Sequence, residues 1–124
     1  MRRLNSKEEQ IMQILWKLDR AFVKEIRAEM EEPRPPITTV SSIVRKLESE
    51  GFIGHENFGK TYRYFPAIPQ ESYRKSTFRR LLDNYFGGSP RQLLSYFVEE
   101  EDVSPEEINQ ILEDIRRKEE EDKQ

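Results

Sequence analysis

Thr38-Thr39-Val40-Ser41-Ser42-Ile43-Val44-Arg45-Lys46-Leu47-Glu48-Ser49-Glu50-Gly51 runs directly into Phe52-Ile53-Gly54-His55-Glu56, and the fold turns on this stretch. Val40, Ile43, Val44 and Leu47 recur at three- and four-residue steps, which predicts a helix with one apolar stripe. Thr38 or Thr39 supplies the expected N-cap, and Gly51 stands where a left-handed C-terminal glycine belongs. After Gly51 the period changes to two. Phe52–Glu56 and Thr61-Tyr62-Arg63-Tyr64-Phe65 are rich in strand-favouring residues, with Asn57-Phe58-Gly59-Lys60 between them. This predicts a β-hairpin, ended by Pro66 and Pro69.

Two helices are expected upstream. Ser6 is the expected cap of the first, over residues 7–18, with Ile11, Ile14, Leu15 and Leu18 on its apolar side. Asp19-Arg20 is a break. Val23, Ile26 and Met30 predict a second helix over about 22–31. Glu32-Pro33-Arg34-Pro35-Pro36 cannot be helix interior and forms a stiff connector. Downstream, three further helices are expected. One runs from Ser72 to Phe86 and stops at Gly87-Gly88; the next two begin at Ser89-Pro90 and Ser104-Pro105, a cap residue followed by proline. The charged residues 116–124 are expected to fray.

Three helices followed by a two- or three-stranded hairpin sheet is the order of a winged helix-turn-helix. With Val40, Ile43, Val44 and Leu47 turned inward, Thr38, Ser42, Arg45 and Ser49 point outward, flanked by Thr39, Ser41 and Lys46. Short hydroxyl side chains let a helix approach the floor of the DNA major groove. An arginine among them can reach guanine bidentately or hold a phosphate. Lys60 sits at the expected hairpin tip, where a wing meets the sugar–phosphate backbone. Tyr62 and Tyr64 are expected to pack, and His55 to be an exposed strand residue. The competing account is plain: threonines near a helix start are caps, and Arg45-Lys46 is ordinary surface.

Composition narrows the chemistry. The 124 residues include no cysteine and one histidine, which excludes disulfides, thiolate metal sites and multi-histidine cages. No nucleophile–base spacing stands out, so no catalytic residue, metal or cofactor is assigned. No stretch approaches the ~20 apolar residues of a membrane span. A soluble, cytoplasmic protein without direct membrane binding is expected. The net charge of −3 is unevenly divided. Residues 1–80 hold 16 Lys+Arg and 11 Asp+Glu, whereas residues 81–124 hold 5 and 13. A basic body facing an anion and an acidic C-terminal region with another task are implied.

Several fragments together resemble the penicillinase-repressor family, the BlaI/MecI type of bacterial transcription regulators. They are Leu4 to Leu18 with its Ile14-Leu15-Trp16 step, Val23-Lys24-Glu25-Ile26, Thr38-Thr39-Val40 and Arg45-Lys46-Leu47-Glu48. Gly51-Phe52-Ile53, Gly59-Lys60-Thr61-Tyr62-Arg63-Tyr64, Phe86-Gly87-Gly88-Ser89-Pro90 and Val103-Ser104-Pro105-Glu106-Glu107-Ile108 extend the likeness over nearly the whole chain. The resemblance implies a winged-helix DNA-binding domain over 1–70 and a helical dimerisation region over 71–124. It implies a homodimer that represses transcription from a short palindromic operator, with contacts at Thr38, Thr39, Ser42, Arg45, Lys46 and, in the wing, Lys60. Ser41 joins them from the face analysis. Phe78, Leu82, Phe86, Leu94, Phe97 and Ile111 are expected to need a second copy for burial. In some members a membrane-bound sensor protease cleaves the repressor near a phenylalanine; the candidate region here is Tyr96-Phe97, with Tyr96 in place of the familiar Asn. The alternative function is a winged-helix module that binds protein and not DNA.

Overall fold

Helix α1 (Ser6–Leu18) starts at Asn5, not at the expected Ser6. Asn5 Oδ1 accepts from the Glu8 amide at 2.9 Å, and Glu8 Oε1 accepts from the Asn5 amide at 2.9 Å. Ser6 stands three places before Glu9 just as Asn5 stands before Glu8, so spacing alone does not choose between them; the box forms at Asn5 because Glu8 is the buried carboxylate of the two. These features come from a computed structural model that describes residues 1–123. Among the described residues the order is α1, α2 (Val23–Ala28), α3 (Ile37–Ser49), β1 (Ile53–Phe58), β2 (Thr61–Pro66), α4 (Gln70–Phe86), α5 (Pro90–Glu100) and α6 (Pro105–Asp122). No helix among them is long and apolar enough to cross a membrane.

Helix α2 ends earlier than its periodicity predicts. Arg34 Nη2 donates to the Ala28 carbonyl at 2.9 Å and Nε to the Met30 carbonyl at 3.2 Å, supplying partners for the chain end that the helix leaves open. Met30 is still buried, so its place in the apolar pattern reflects the core and not a helical backbone. Helix α3 also begins differently. Pro36, extended at φ −57° and ψ 151°, is its N-cap, and the Pro36 carbonyl accepts from the amides of Thr39 and Val40. Thr38 and Thr39 therefore lie inside the first turn and neither is a cap.

The C-terminus of α3 follows expectation. Gly51 takes φ +86°. Its amide donates to Glu48 and the Phe52 amide donates to Leu47, at 3.0 and 2.9 Å. This double closure is a Schellman motif, and Phe52 and Leu47, the two residues it joins, are both buried in the same core. The chain thus leaves α3 at a fixed angle into β1. The hairpin is longer than expected, because Asn57 pairs with Tyr62 and Phe58 with Thr61. Only Gly59 and Lys60 remain for the loop, with the positive φ at glycine. Ala21 bridges to Tyr64 through two backbone hydrogen bonds, a one-residue third strand.

Two compact units divide the chain, Met1–Thr77 and Phe78 onward. The first has a core of Ile11, Leu15, Ile26, Val40, Val44 and Leu47, closed by Phe52 and Tyr64. It reaches seven residues beyond position 70 for a physical reason. Tyr73 is buried, its ring lies 5.8 Å from that of Trp16, and its hydroxyl accepts from the Leu4 amide. In the second unit α5 and α6 contain no buried residue. Residues 116–122, expected to fray, continue α6, with Arg116–Glu113 and Arg117–Asp114 pairs along its surface.

One charged side chain is buried in the first unit: Glu8, 1% exposed. Hydrogen bonds from Arg2 hold its carboxyl down at about 2, against the opposing effect of burial; the Asn5 amide and the nearby Lys46 charge act in the same sense as Arg2. A carboxylate held below its unfolded value stabilises the fold above pH ~4.5 and loses that contribution as pH falls toward 2. Acid unfolding followed by circular dichroism is expected to steepen over pH 4.5–2, and Glu8→Gln to flatten that limb by on the order of 3 kcal/mol.

Candidate nucleic-acid interface

The inner stripe of α3 fixes which side chains face out. Val40, Val44 and Leu47 are fully buried and Ile43 packs against the same core. At 100° per residue the opposite side carries Thr38, Ser42, Arg45 and Ser49, with Thr39 and Lys46 beside them. Those six are exposed, while Ser41 is half-buried. Arg45 is tethered only loosely, Nε to the Ser41 carbonyl at 3.4 Å. Among the described residues no carboxylate pairs with it. The guanidinium therefore projects from a surface of small hydroxyl groups, free to meet an anion or a base edge.

Lys46 is placed differently. Its Nζ stands 3.5 Å from Glu8 Oε2. Of the seven residues singled out on the sequence, Thr38, Thr39, Ser42 and Arg45 share the open face. Ser41 is partly covered, Lys46 turns to α1, and Lys60 stands apart at the hairpin tip.

The hairpin is braced against α3 by side chains whose role the sequence did not disclose. The His55 ring pairs with the Glu48 carboxylate through Nδ1 and stacks on Tyr62 at 4.2 Å. Tyr64 lies on the same strand face, buried, and its phenol is pushed up by that burial and by the Glu48 charge. His55 is thus a strut between wing and helix. Tyr62, expected to pack, remains about half exposed. On the other face Arg20 pairs with Glu56 and lies over the Phe65 ring. That ring also explains Gly54, since a Cβ there would come within 2.6 Å of it. At the tip, Thr61 Oγ1 donates to the Phe58 carbonyl at 2.9 Å. Lys60 is exposed, and among the described residues it has no acidic partner. Phe58 beside it is 57% exposed, touching Phe22 edge-on at 5.5 Å. An exposed aromatic next to a wing-tip cation is a feature that strand alternation could have flagged.

The arrangement can do one thing well. A helix with a short, hydroxyl-rich, arginine-bearing outer side and a cation-tipped hairpin presents donors to base edges and phosphates. Among the described residues, no group of three or more His, Asp and Glu could hold a metal ion.

A family model described as penicillinase repressor matches residues 4–117. The methicillin resistance regulatory protein MecI of Mammaliicoccus sciuri is 24% identical over 116 residues, covering 93% of this chain and 94% of that protein. The penicillinase repressor of Bacillus licheniformis is 24% identical over 122 residues, with 95% of each chain covered. Among solved structures, the CopR repressor is 25% identical and aligns with 54% of this chain and 99% of its own, at a TM-score of 0.46.

His55→Ala removes both the Glu48 pair and the Tyr62 stack. The expected loss of stability is about 1 kcal/mol, since each contact is partly solvated. Amide hydrogen exchange should quicken at Glu56 and Arg63, a hydrogen-bonded pair of the hairpin, while the Leu47 amide, deep in α3, keeps its protection.

Proposed function

This chain belongs to the penicillinase repressor family, and from that premise we propose that it acts as a homodimer on a palindromic DNA operator. It is a DNA-binding transcriptional repressor and not an enzyme. The observation that carries the DNA-contact reading is the open side of α3. Thr38, Thr39 and Ser42 lie against the major-groove floor, Arg45 reads a base edge or clamps a phosphate, and Lys60 holds the backbone from the wing. Ser41 supports the helix from its half-buried position.

The second unit supplies the reason for a dimer. Among its described residues Leu82 alone is buried, so this member of the expected set is already covered within one chain. Phe86 is half-buried, while Phe78, Leu94, Phe97 and Ile111 are between 40 and 54% exposed. Leu81, Tyr85, Phe86, Leu93, Tyr96 and Phe97 line an apolar groove of about 760 Å³. Helices with apolar sides and no core of their own bury them best against an identical copy about a two-fold axis. Residues from 78 onward thus serve dimerisation and residues up to 77 serve DNA. Two such domains on one axis read half-sites about one helical turn, or a multiple of it, apart. The cytoplasm is the compartment where this activity is exercised.

Tyr96 and Phe97 belong first to this dimer contact. Tyr96 packs edge-on against Phe86 at 5.6 Å. Cleavage there by a membrane-bound sensor protease is a second role, and it requires α5 to unwind, because both residues lie inside that helix.

The test is fluorescence anisotropy with a duplex from upstream of the chain's own gene, against a scrambled duplex, together with sedimentation velocity. A dimer that prefers the upstream duplex supports the reading. A folded protein with no preference at low salt overturns the operator, and a monomer at micromolar concentration overturns the dimer. Arg45→Ala is expected to cost about 1–3 kcal/mol on the preferred duplex and to relax sequence preference. Lys60→Ala should weaken both duplexes alike and flatten the salt dependence by about one charge per wing.

A further inference from the structure

Where α1 meets the flank of α3, four charged side chains form a closed cluster. Arg2 grips Glu8 with both ends of its fork, Nη1 donating to Oε1 at 3.0 Å and Nη2 to Oε2 at 2.6 Å. The same guanidinium donates to Glu50, just past the end of α3, and lies over the Phe52 ring. Lys46 Nζ completes the cluster at 3.5 Å from Glu8 Oε2. Two cations and two carboxylates cancel.

The two sides of the Lys46–Glu8 pair are unequal. The Glu8 side chain is 2% exposed and Lys46 is 60% exposed. Glu8 cannot move, since its carboxylate also accepts from the Asn5 amide in the cap of α1. Lys46 sits one turn after Ser42 and one position after Arg45, on the border of the proposed DNA-contact face. A lysine there would ordinarily reach a phosphate. Here an immovable internal anion holds it.

We infer that Glu8 is a positioning residue that withholds Lys46 from the DNA backbone and so limits how strongly the repressor binds any duplex. The inference rests on the DNA reading above. Phosphate contacts carry no sequence information, so a cation withheld from them lowers affinity for every duplex by a similar factor. The α3 face is left to discriminate.

Salt titrations of binding to the upstream and the scrambled duplex test this on the full chain. In Glu8→Gln the amide oxygen still accepts from the Asn5 amide, while the charge and the second acceptor for Arg2 are lost. The slope of log K against log salt should steepen by about 0.9 per protomer. Affinity at low salt should rise several-fold on both duplexes, with their ratio unchanged. Mere structural damage would instead lower affinity and erode the ratio. An unchanged or shallower slope in a folded Glu8→Gln protein overturns the inference. Lys46→Gln decides independently of whether that variant folds. The inference expects no change in slope, because Lys46 is already neutralised. A slope flattened by about one per protomer places Lys46 on a phosphate and overturns it. A wild-type protein that binds neither duplex sinks the DNA reading and this inference together, whereas wild-type binding with a flattened Lys46→Gln slope sinks only the inference.

Discussion

The burial of one side of α3 is the constraint on which the rest depends. Val40, Val44 and Leu47 are removed from water completely, and each contributes roughly 1.5–3 kcal/mol by its burial. A helix so anchored cannot rotate about its axis without exposing that stripe. The outward direction of Thr38, Ser42 and Arg45 is therefore set by the core and not by anything on the surface. The Schellman closure at Gly51 carries the same constraint into the hairpin, because it fixes the angle at which β1 leaves the helix. One packing event thereby orients both elements proposed to meet DNA.

Around this anchored helix, charged and aromatic side chains do finer work. His55 and Glu48 tie the wing to α3. Arg20 and Glu56 hold its opposite face. Arg2, Glu8 and Glu50 bind the N-terminal segment to both α1 and the end of α3. Apart from Arg2–Glu8, whose carboxylate is buried, these are exposed ion pairs that add little to stability. Their effect is positional: they fix where cations stand, and in a protein that binds a polyanion that placement matters more than the energy of the pairs. The second unit works by the opposite principle. Its helices leave Phe78, Tyr85 and Ile111 at least half exposed, which is the surface proposed above to pair with a second copy.

Much of this was legible in the residues. The stripe of α3, the glycine after it, the hairpin and the starts of α5 and α6 were all read correctly, because each rests on a local rule. The errors share a cause. Ser6, Thr38 and Thr39 are good capping residues, yet Asn5 and Pro36 hold those places. Several candidates stand within a residue or two, and the entry angle of the chain chooses among them. The end of α2 was set too late because Met30 keeps a helical period for the sake of the core. The first unit runs past residue 70 because Tyr73 returns to pack on Trp16 and Leu4, a contact across more than fifty residues.

Periodicity and punctuation, then, were settled by the amino-acid sequence alone: which side chains of α3 turn inward, where α3 stops at Gly51, and that a hydroxyl-and-arginine face is left over. These follow from the 3.6- and 2-residue repeats, which act between near neighbours. The partners of the long charged side chains were decided only in three dimensions. Lys46 lies beside Arg45 in the chain and shares its charge, yet one is held by Glu8 and the other projects freely. No local pattern separates them, because a flexible four-carbon arm takes whichever anion the fold brings within reach, and that anion lies 38 positions away on another helix.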